Sequence, residues 1–600
     1  MIKSPSSIRY IQKFPTLILY LLTFLITLLP AFFYTAPAFE DGLGTMAPAA
    51  YLAGYDWSGF LASDGYYYKY GQSLWYLLPF LLIPYAVVRY RVMLAVNSAL
   101  VSLIPVFAWK TARRLGMEGR AAFAIALLTG FYPPILLYSK YTWAETNLMV
   151  LPWIVLFLLL RVYGKGEEHR IRDSILLAAA AVYAYMSHQR GMVLILAVVL
   201  TLIFLEFVLY CAQGGAYCVE KKGFCWSSFL LTLTAGVLLD SVLSGCVKAF
   251  VYDGAVMEHN TLRDFLDPEL YWKLLSPKGI RVVLDTAAGW LFHSGASTFG
   301  CAFLGLFFLL GVVWKWLPGK RRMEEEHGEL GYLVVSLLGL FCYFGAMALG
   351  LLFFFQDLNG YFDGSRVERC DHLLFGRYLE SSVSILLFAG LIVLWKKEKE
   401  KRSLFGAAVV WYLCVALVTG GRLLPRMDQV NCYVHSLMAL NLFMDTGEVT
   451  GTLAVIPNYP EALAAFGLLS FLVFVILQYI RERRGRRGVM VVLCVLFLWV
   501  YVWNSVTVTG RVDHFGATKY AEVYRTSERG QLSDGSMALC IEKKRILRLR
   551  QEESFHLNMQ RNCRFKENCR CHGFQIDGIF PLRYNQINDQ EKPDLRIPVE

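Results

Sequence analysis

Glu40 and Asp41 are adjacent carboxylates that follow closely on an apolar run, Leu17–Tyr34. A carboxylate at the exit of a membrane span can act as a general base on a hydroxyl or amine held at the membrane surface. Partial burial against helix ends can tune its proton affinity. The stretch 36–68 also holds Asp56 and Asp64 and contains no Lys or Arg. An ordinary polar exit from lipid would use the same residue types, so position alone leaves both readings open.

Cations then collect in short segments. Lys69 is the first after the acidic stretch, and Arg89 and Arg91 follow. The junction SKYTWAE, 139–145, carries Lys140, Trp143 and Glu145, and HQRG, 188–191, carries His188 and Arg190. The segment FDGSRVERCDHLLFGRYLE, 362–380, holds Arg366, Arg369, Asp371, His372, Arg377 and Tyr378. Guanidinium forks grip phosphate oxygens bidentately. Arg377 precedes an apolar block, where a helix N-terminus adds backbone donors for an anion. Ionisable groups at the mouth of a helix bundle are costly and usually functional. Solvated loops and headgroup anchors would also place charge here.

The elements that position these residues are membrane helices. Of the 600 residues, 56% are hydrophobic and 18% charged, where a soluble chain carries about 25% charged. The apolar residues stand in blocks of about 18 or more, the length that crosses a bilayer. Inside hydrocarbon a backbone must satisfy its own hydrogen bonds, so the blocks are helices. The candidate spans are 15–35, 92–109, 121–138, 144–160, 174–187, 191–210, 227–248, 298–317, 331–355, 379–395, 404–420, 462–480 and 488–504.

Basic loops set the orientation. KTARRLGMEGR (110–120), RVYGKGEEHRIR (161–172), KK (221–222), KWLPGKRR (315–322), KKEKEKR (396–402) and RERRGRR (481–487) share one parity. The positive-inside rule places them, and the N-terminus with Lys3, Arg9 and Lys13, in the cytoplasm. The segment 74–88 carries Pro79 and Pro84. Counted as a span it would invert every later loop, so it reads as an interfacial helix. Segments 36–91, 249–297, 356–378 and 421–461 then face outward.

The chain divides into a membrane domain, 1–504, and an extracytoplasmic C-terminal domain, 505–600. Cys540, Cys563, Cys569 and Cys571 in the latter permit two disulfides in three pairings. The net charge of +11 sits in the loops between spans, which excludes nucleic acid as its explanation. No Walker loop, dinucleotide fingerprint, HExxH or CxxC occurs. No metal ligand set and no cofactor is expected, although Glu40, Asp41 or Glu145 could hold a divalent ion. The absence of any Asn-x-Ser/Thr sequon favours a bacterial plasma membrane over a glycosylating compartment.

In layout, over roughly residues 1–400, the chain resembles the GT-C glycosyltransferases. These are polytopic enzymes that use lipid-phosphate-linked sugars, among them the protein O-mannosyltransferases and the bacterial aminoarabinose transferase of lipid A. The shared pattern is a first span, an outer loop opening with an acidic pair (Glu40–Asp41), and an interfacial helix (74–88) before the second span. The resemblance implies an all-α fold of about thirteen spans and a polyprenyl-phosphate sugar donor. It implies a glycan, lipid or protein acceptor outside the membrane, with Asp41 or Glu40 as base. Arg89, Arg91, Arg369 or Arg377 would meet the phosphate charge. A transporter or flippase, and an envelope-glycan polymerase or ligase on a diphosphate carrier, are the alternatives. A transporter would place its polar residues at mid-membrane and show repeats, and a polymerase would carry its large outer loop late in the chain.

Overall fold

The computed structural model describes residues 14–163, 170–212, 224–254, 256, 267–317, 327–364, 369–396, 401–427, 431–449 and 453–525. They belong to one compact unit, Met1–Leu532. Arg366 and the four tail cysteines lie outside the described residues.

The chain is an all-α, multi-pass membrane protein. Every apolar block read from the sequence is helical. Among the described residues nine helices are long and apolar enough to cross a membrane, or ten if one bent pair counts as a span. This is fewer than the thirteen expected, for identifiable reasons. The 121–138 block is two short helices, Gly119–Gly130 and Pro133–Tyr138, because Pro133 stops the first and starts the second. Glu380–Trp395 has 16 residues. Arg170–Ser187 opens with charge, which lowers its hydropathy. The 298–317 block is the second arm of a helix pair, Pro277–Ala296 and Cys301–Trp316, bent by 110°. The bend turns on Phe299 and Gly300, both at positive φ, a backbone region that suits glycine.

The segment 249–297, expected as an outer loop, is corrected by the Pro277–Ala296 helix, which buries Trp290, Phe292 and His293. The 74–88 segment is a 3-10 turn, Gln72–Tyr76, and a short helix, Leu77–Leu82, broken before Ala86 at Pro84. At about 1.5 Å per residue such a piece cannot cross a core of about 30 Å.

The Cys301–Trp316 and Glu380–Trp395 helices meet backbone to backbone. A Cβ on Gly305 would stand 1.8 Å from the Leu386 carbonyl oxygen, and one on Gly390 1.9 Å from that of Cys301. In lipid no hydrophobic force joins helices, so close approach at small residues does. That contact anchors the helix that follows the turn holding Arg377.

The bundle has two chemically distinct ends. At one end Arg114 donates to the Leu160 carbonyl (3.3 Å), Arg161 pairs with Asp173 (3.1 Å) and Arg481 donates to the Lys396 carbonyl (2.8 Å). The same helices begin or end with Glu145, Ser187 and Glu380 at the opposite end. Side chains on exposed faces, such as Leu231, Leu238 and Val242 of Trp226–Val251, are apolar, as a lipid-facing helix requires.

Candidate functional site

Arg377 sits in the turn between the Cys370–Leu374 3-10 helix and the Glu380–Trp395 helix. The turn is fixed from two sides. The Gly376 and Arg377 amides donate to the Ser436 carbonyl, at 3.0 and 3.2 Å. A Cβ on Gly376 would fall 2.0 Å from the His293 ring, so only glycine lets the turn lie so close.

From this turn Arg377 reaches both acidic elements seen in the sequence. Its Nη2 lies 3.0 Å from Asp41 Oδ2, and its Nε lies 2.5 Å from Glu145 Oε1. Arg190 Nη2 also donates to Glu145 Oε1, at 2.5 Å. The Arg377 guanidinium stacks over Trp143, 4.3 Å from the ring centre, and that of Arg190 over Tyr378 at 4.4 Å. Stacking on a ring face adds attraction and fixes the plane of the fork. Burial disfavours the charge on Arg377, but Glu145, Tyr433 and Asp41 outweigh it and hold its pKa well above the ordinary value. Glu145 is 3% exposed and Asp41 30%. Glu145 is therefore the buried counter-ion, and Asp41 is the carboxylate more open to solvent. Its other oxygen, Oδ1, accepts from Tyr68 OH at 3.2 Å.

A cavity of about 50 Å³ opens beside this cluster. Glu145, Arg190, Arg377 and Tyr378 line its polar side, and Leu148, Met149, Val193, Leu194, Ala346 and Leu349 its apolar side. Arg190 Nε is buried without a hydrogen-bond partner among the described residues. An unpaired buried donor is costly, and a ligand oxygen would satisfy it.

The remaining residues singled out in the sequence divide into three groups. Arg369 makes a fork to Asp371 (3.1 and 2.6 Å), and Asp371 also accepts from Ser436 Oγ at 2.7 Å. Burial would raise the Asp371 pKa, but Arg369 and His372 more than offset it and the net shift is downward. Arg369 is thus occupied in tying two loops together, while Arg377 projects to the cavity. His372 is buried, and its pKa is pushed down to about 3 by burial and Arg369. His188 accepts at Nδ1 from the Arg190 amide (3.1 Å), and burial and Arg190 hold its pKa well below 6.5. It is a neutral ring that fixes the Arg190 backbone.

Lys69, Arg89 and Arg91 do not line the cavity. Lys69 Nζ pairs with Asp240 (2.6 Å), and burial lowers its pKa against that pull. Arg89 is 1% exposed, donates to Tyr55 OH and is enclosed by the rings of Tyr55, Phe80 and Tyr524. Arg91 Nε donates to the Tyr34 carbonyl at 3.3 Å. Glu40 turns away from Asp41, as adjacent residues on a helix must, and accepts from Tyr520 OH at 2.5 Å.

Sequence reasoning missed Tyr433, His435 and Asp513. Tyr433 OH accepts from Arg377 Nη1 at 3.4 Å. His435 Nε2 lies 2.9 Å from Asp513 Oδ1, and burial lowers its pKa despite that carboxylate. The available signal was ionisable residues in 421–461 and just after the last apolar block. Asp513 belongs to Val508–Arg525, a stretch the sequence assigned to the tail. Its helix packs into the membrane unit. Among the described residues no three His, Cys, Asp or Glu side chains converge as a cation site. Of the carboxylates named as cation ligands, Asp41 and Glu145 are both engaged by Arg377.

No family model and no curated protein matches the chain. Among solved structures, the chain aligns with ArnT from Cupriavidus metallidurans in the apo state, at 12% identity and a TM-score of 0.40, covering 86% of this chain and 80% of that one. ArnT bound to undecaprenyl phosphate gives 12% and 0.40, covering 85% and 80%. The apo Archaeoglobus fulgidus oligosaccharyltransferase gives 12% identity and 0.36, covering 80% and 59%.

Proposed function

We propose that this chain is a GT-C-like glycosyltransferase that moves a sugar from a polyprenyl-phosphate carrier to an acceptor at the extracytoplasmic membrane face, with inversion. The observation that carries the proposal is the cavity beside Arg190 and Arg377. Two arginines and Glu145 line one side and apolar residues the other, and the lining Arg377 holds Asp41 at 3.0 Å. That combination suits an anionic head on a hydrocarbon tail, next to a base. The basic loops occupy the end of the bundle opposite Glu145, which supports an extracytoplasmic site.

In the proposed step the lipid phosphate sits against Arg190 and Arg377, and Arg190 Nε gains the partner it lacks. The acceptor hydroxyl lies near Asp41. As its oxygen attacks the anomeric carbon, the proton passes to Asp41 and the bond from that carbon to the phosphate oxygen breaks. The bonding pair leaves with the phosphate, whose charge the two guanidinium groups meet. A single displacement inverts the anomeric carbon. No nucleotide takes part, and the phosphate charge is neutralised by protein cations. A glycan, a lipid or a protein can serve as the hydroxyl-bearing acceptor, in a bacterial plasma membrane.

The test is purified protein in liposomes given a panel of undecaprenyl-phosphate pentoses and hexoses, with release of undecaprenyl phosphate as readout. Wild type should release it in the presence of envelope extract as acceptor. Asp41→Asn should lose about 100-fold or more in rate, the ordinary worth of a general base, while still binding undecaprenyl phosphate. Full activity in both Asp41→Asn and Glu40→Gln would remove the acidic pair from the mechanism.

A further inference from the structure

The Val508–Arg525 helix reaches back over the acidic pair and joins parts of the site that are far apart in sequence. Gly516 lies directly on the backbone before Glu40: a Cβ there would stand 1.9 Å from the Ala38 carbonyl oxygen. One turn earlier on the same face, Asp513 is 2% exposed and fully engaged. It accepts from Tyr34 OH (2.5 Å), from Tyr141 OH (2.9 Å) and from His435 Nε2 (2.9 Å), and Lys140 Nζ is 3.7 Å away. One turn later Tyr520 OH donates to Glu40 Oε1 at 2.5 Å. A helix repeats its face every three to four residues, so 513, 516 and 520 form one stripe. That stripe grips the first loop on both sides of Ala38.

The consequence is geometric. Asp41 faces Arg377 only if the first turn of Glu40–Leu52 has a fixed rotation. The N-cap of that helix, Phe39, makes no side-chain capping bond. Its ring instead packs edge-on against His435, 4.4 Å between centres. Tyr520 holds Glu40 on one side of the helix while Arg377 holds Asp41 on the other. We infer that Asp513 and Tyr520 are positioning residues of the transfer reaction: they set the rotation of the Glu40–Asp41 turn so that Asp41 meets the acceptor beside Arg377. This rests on the glycosyl-transfer reading above.

The experiment is a double-mutant cycle in the full-length protein, Tyr520→Phe against Glu40→Ala, with Asp513→Asn as a separate variant. Transfer kinetics and undecaprenyl phosphate binding are measured together. Tyr520→Phe keeps the ring and removes only the hydroxyl, so it remains informative should Asp513→Asn not fold. We expect about a tenfold fall in kcat for Tyr520→Phe, with KM for the lipid donor and lipid binding unchanged. The double variant should be no slower than Glu40→Ala alone, because Glu40→Ala removes the acceptor and Tyr520→Phe the donor of the same link. Asp513→Asn should also lower kcat at unchanged KM. Wild-type kcat in Tyr520→Phe, or additive losses in the double variant, overturns the inference while leaving an active wild type to support the transferase reading. A wild type that transfers no sugar overturns both.

Discussion

Arg377 Nη2 and Asp41 Oδ2 stand 3.0 Å apart although 336 positions separate them in the chain. The same guanidinium binds Glu145, so one side chain joins three segments distant in sequence. A lysine has a point charge and no fork, and could not hold both carboxylates in plane while facing the cavity. Arg377→Lys should therefore cost about 100-fold or more in sugar transfer, in the range found when an electrostatic stabiliser is removed. Polyprenyl-phosphate binding should weaken in parallel, measured by titration of undecaprenyl phosphate against intrinsic tryptophan fluorescence, since Trp143 lies under Arg377.

Glu145 is the shared counter-ion of two guanidinium groups that are themselves 11% and 12% exposed. Truncating it leaves Arg190 without its carboxylate partner and Arg377 with Asp41 alone. Removing one partner of a buried ion pair costs about 3–5 kcal/mol. Glu145→Ala should lower the thermal midpoint in detergent by several degrees or prevent folding, and Glu145→Gln should be milder because it keeps the acceptor oxygen. An unchanged midpoint in Glu145→Ala would show that the cluster carries no strain of this kind.

Acid should destabilise the protein in a defined window. His188 and His435 have folded-state pKa values below 6.5, and that of His372 is about 3. Below pH 6.5 the unfolded chain takes up protons that the folded chain does not, so stability falls as pH drops from 6.5 toward the folded values. Asp371, held below its ordinary 3.8, adds a loss of the same sign at still lower pH. Thermal midpoints recorded from pH 7.5 to 4 should decline below pH 6.5, and His435→Gln should flatten part of the slope. A flat profile would contradict the buried neutral state of these rings.

Chelation should leave transfer unaffected. Two arginines at the cavity already supply the positive charge a phosphate leaving group needs, and Arg377 occupies Asp41 and Glu145. Transfer assays after dialysis against EDTA should match untreated protein. Loss of activity with recovery on adding magnesium or manganese would replace this account with a cation bridging carboxylate and phosphate.

The apolar blocks and their helical state were legible because each follows from local composition. Hydrocarbon demands helices. The acidic pair, the HQRG turn and Arg377 stood out as candidates because charge beside long apolar runs is costly, but Lys69, Arg89 and Arg91 stood out equally. Span ends were less legible. The elbow at Phe299–Gly300 and the break at Phe131–Tyr132 depend on backbone angles and packing that hydropathy does not register.

Which charges work together was a tertiary matter. From sequence, Arg89, Arg91, Arg369 and Arg377 were equal candidates for a phosphate. Folding closed Arg89 among aromatic rings, spent Arg369 on Asp371 and left Arg377 beside the cavity. Asp513 and Tyr520 lay past the last apolar block, and nothing beyond an ionisable group close to that block tied them to the site. Composition determined that this chain crosses a membrane with its polar chemistry gathered at one end. Only the three-dimensional packing decided which groups are neighbours, because an ion pair or a hydrogen bond depends on distances of about 3 Å, and these are set by contacts hundreds of residues apart.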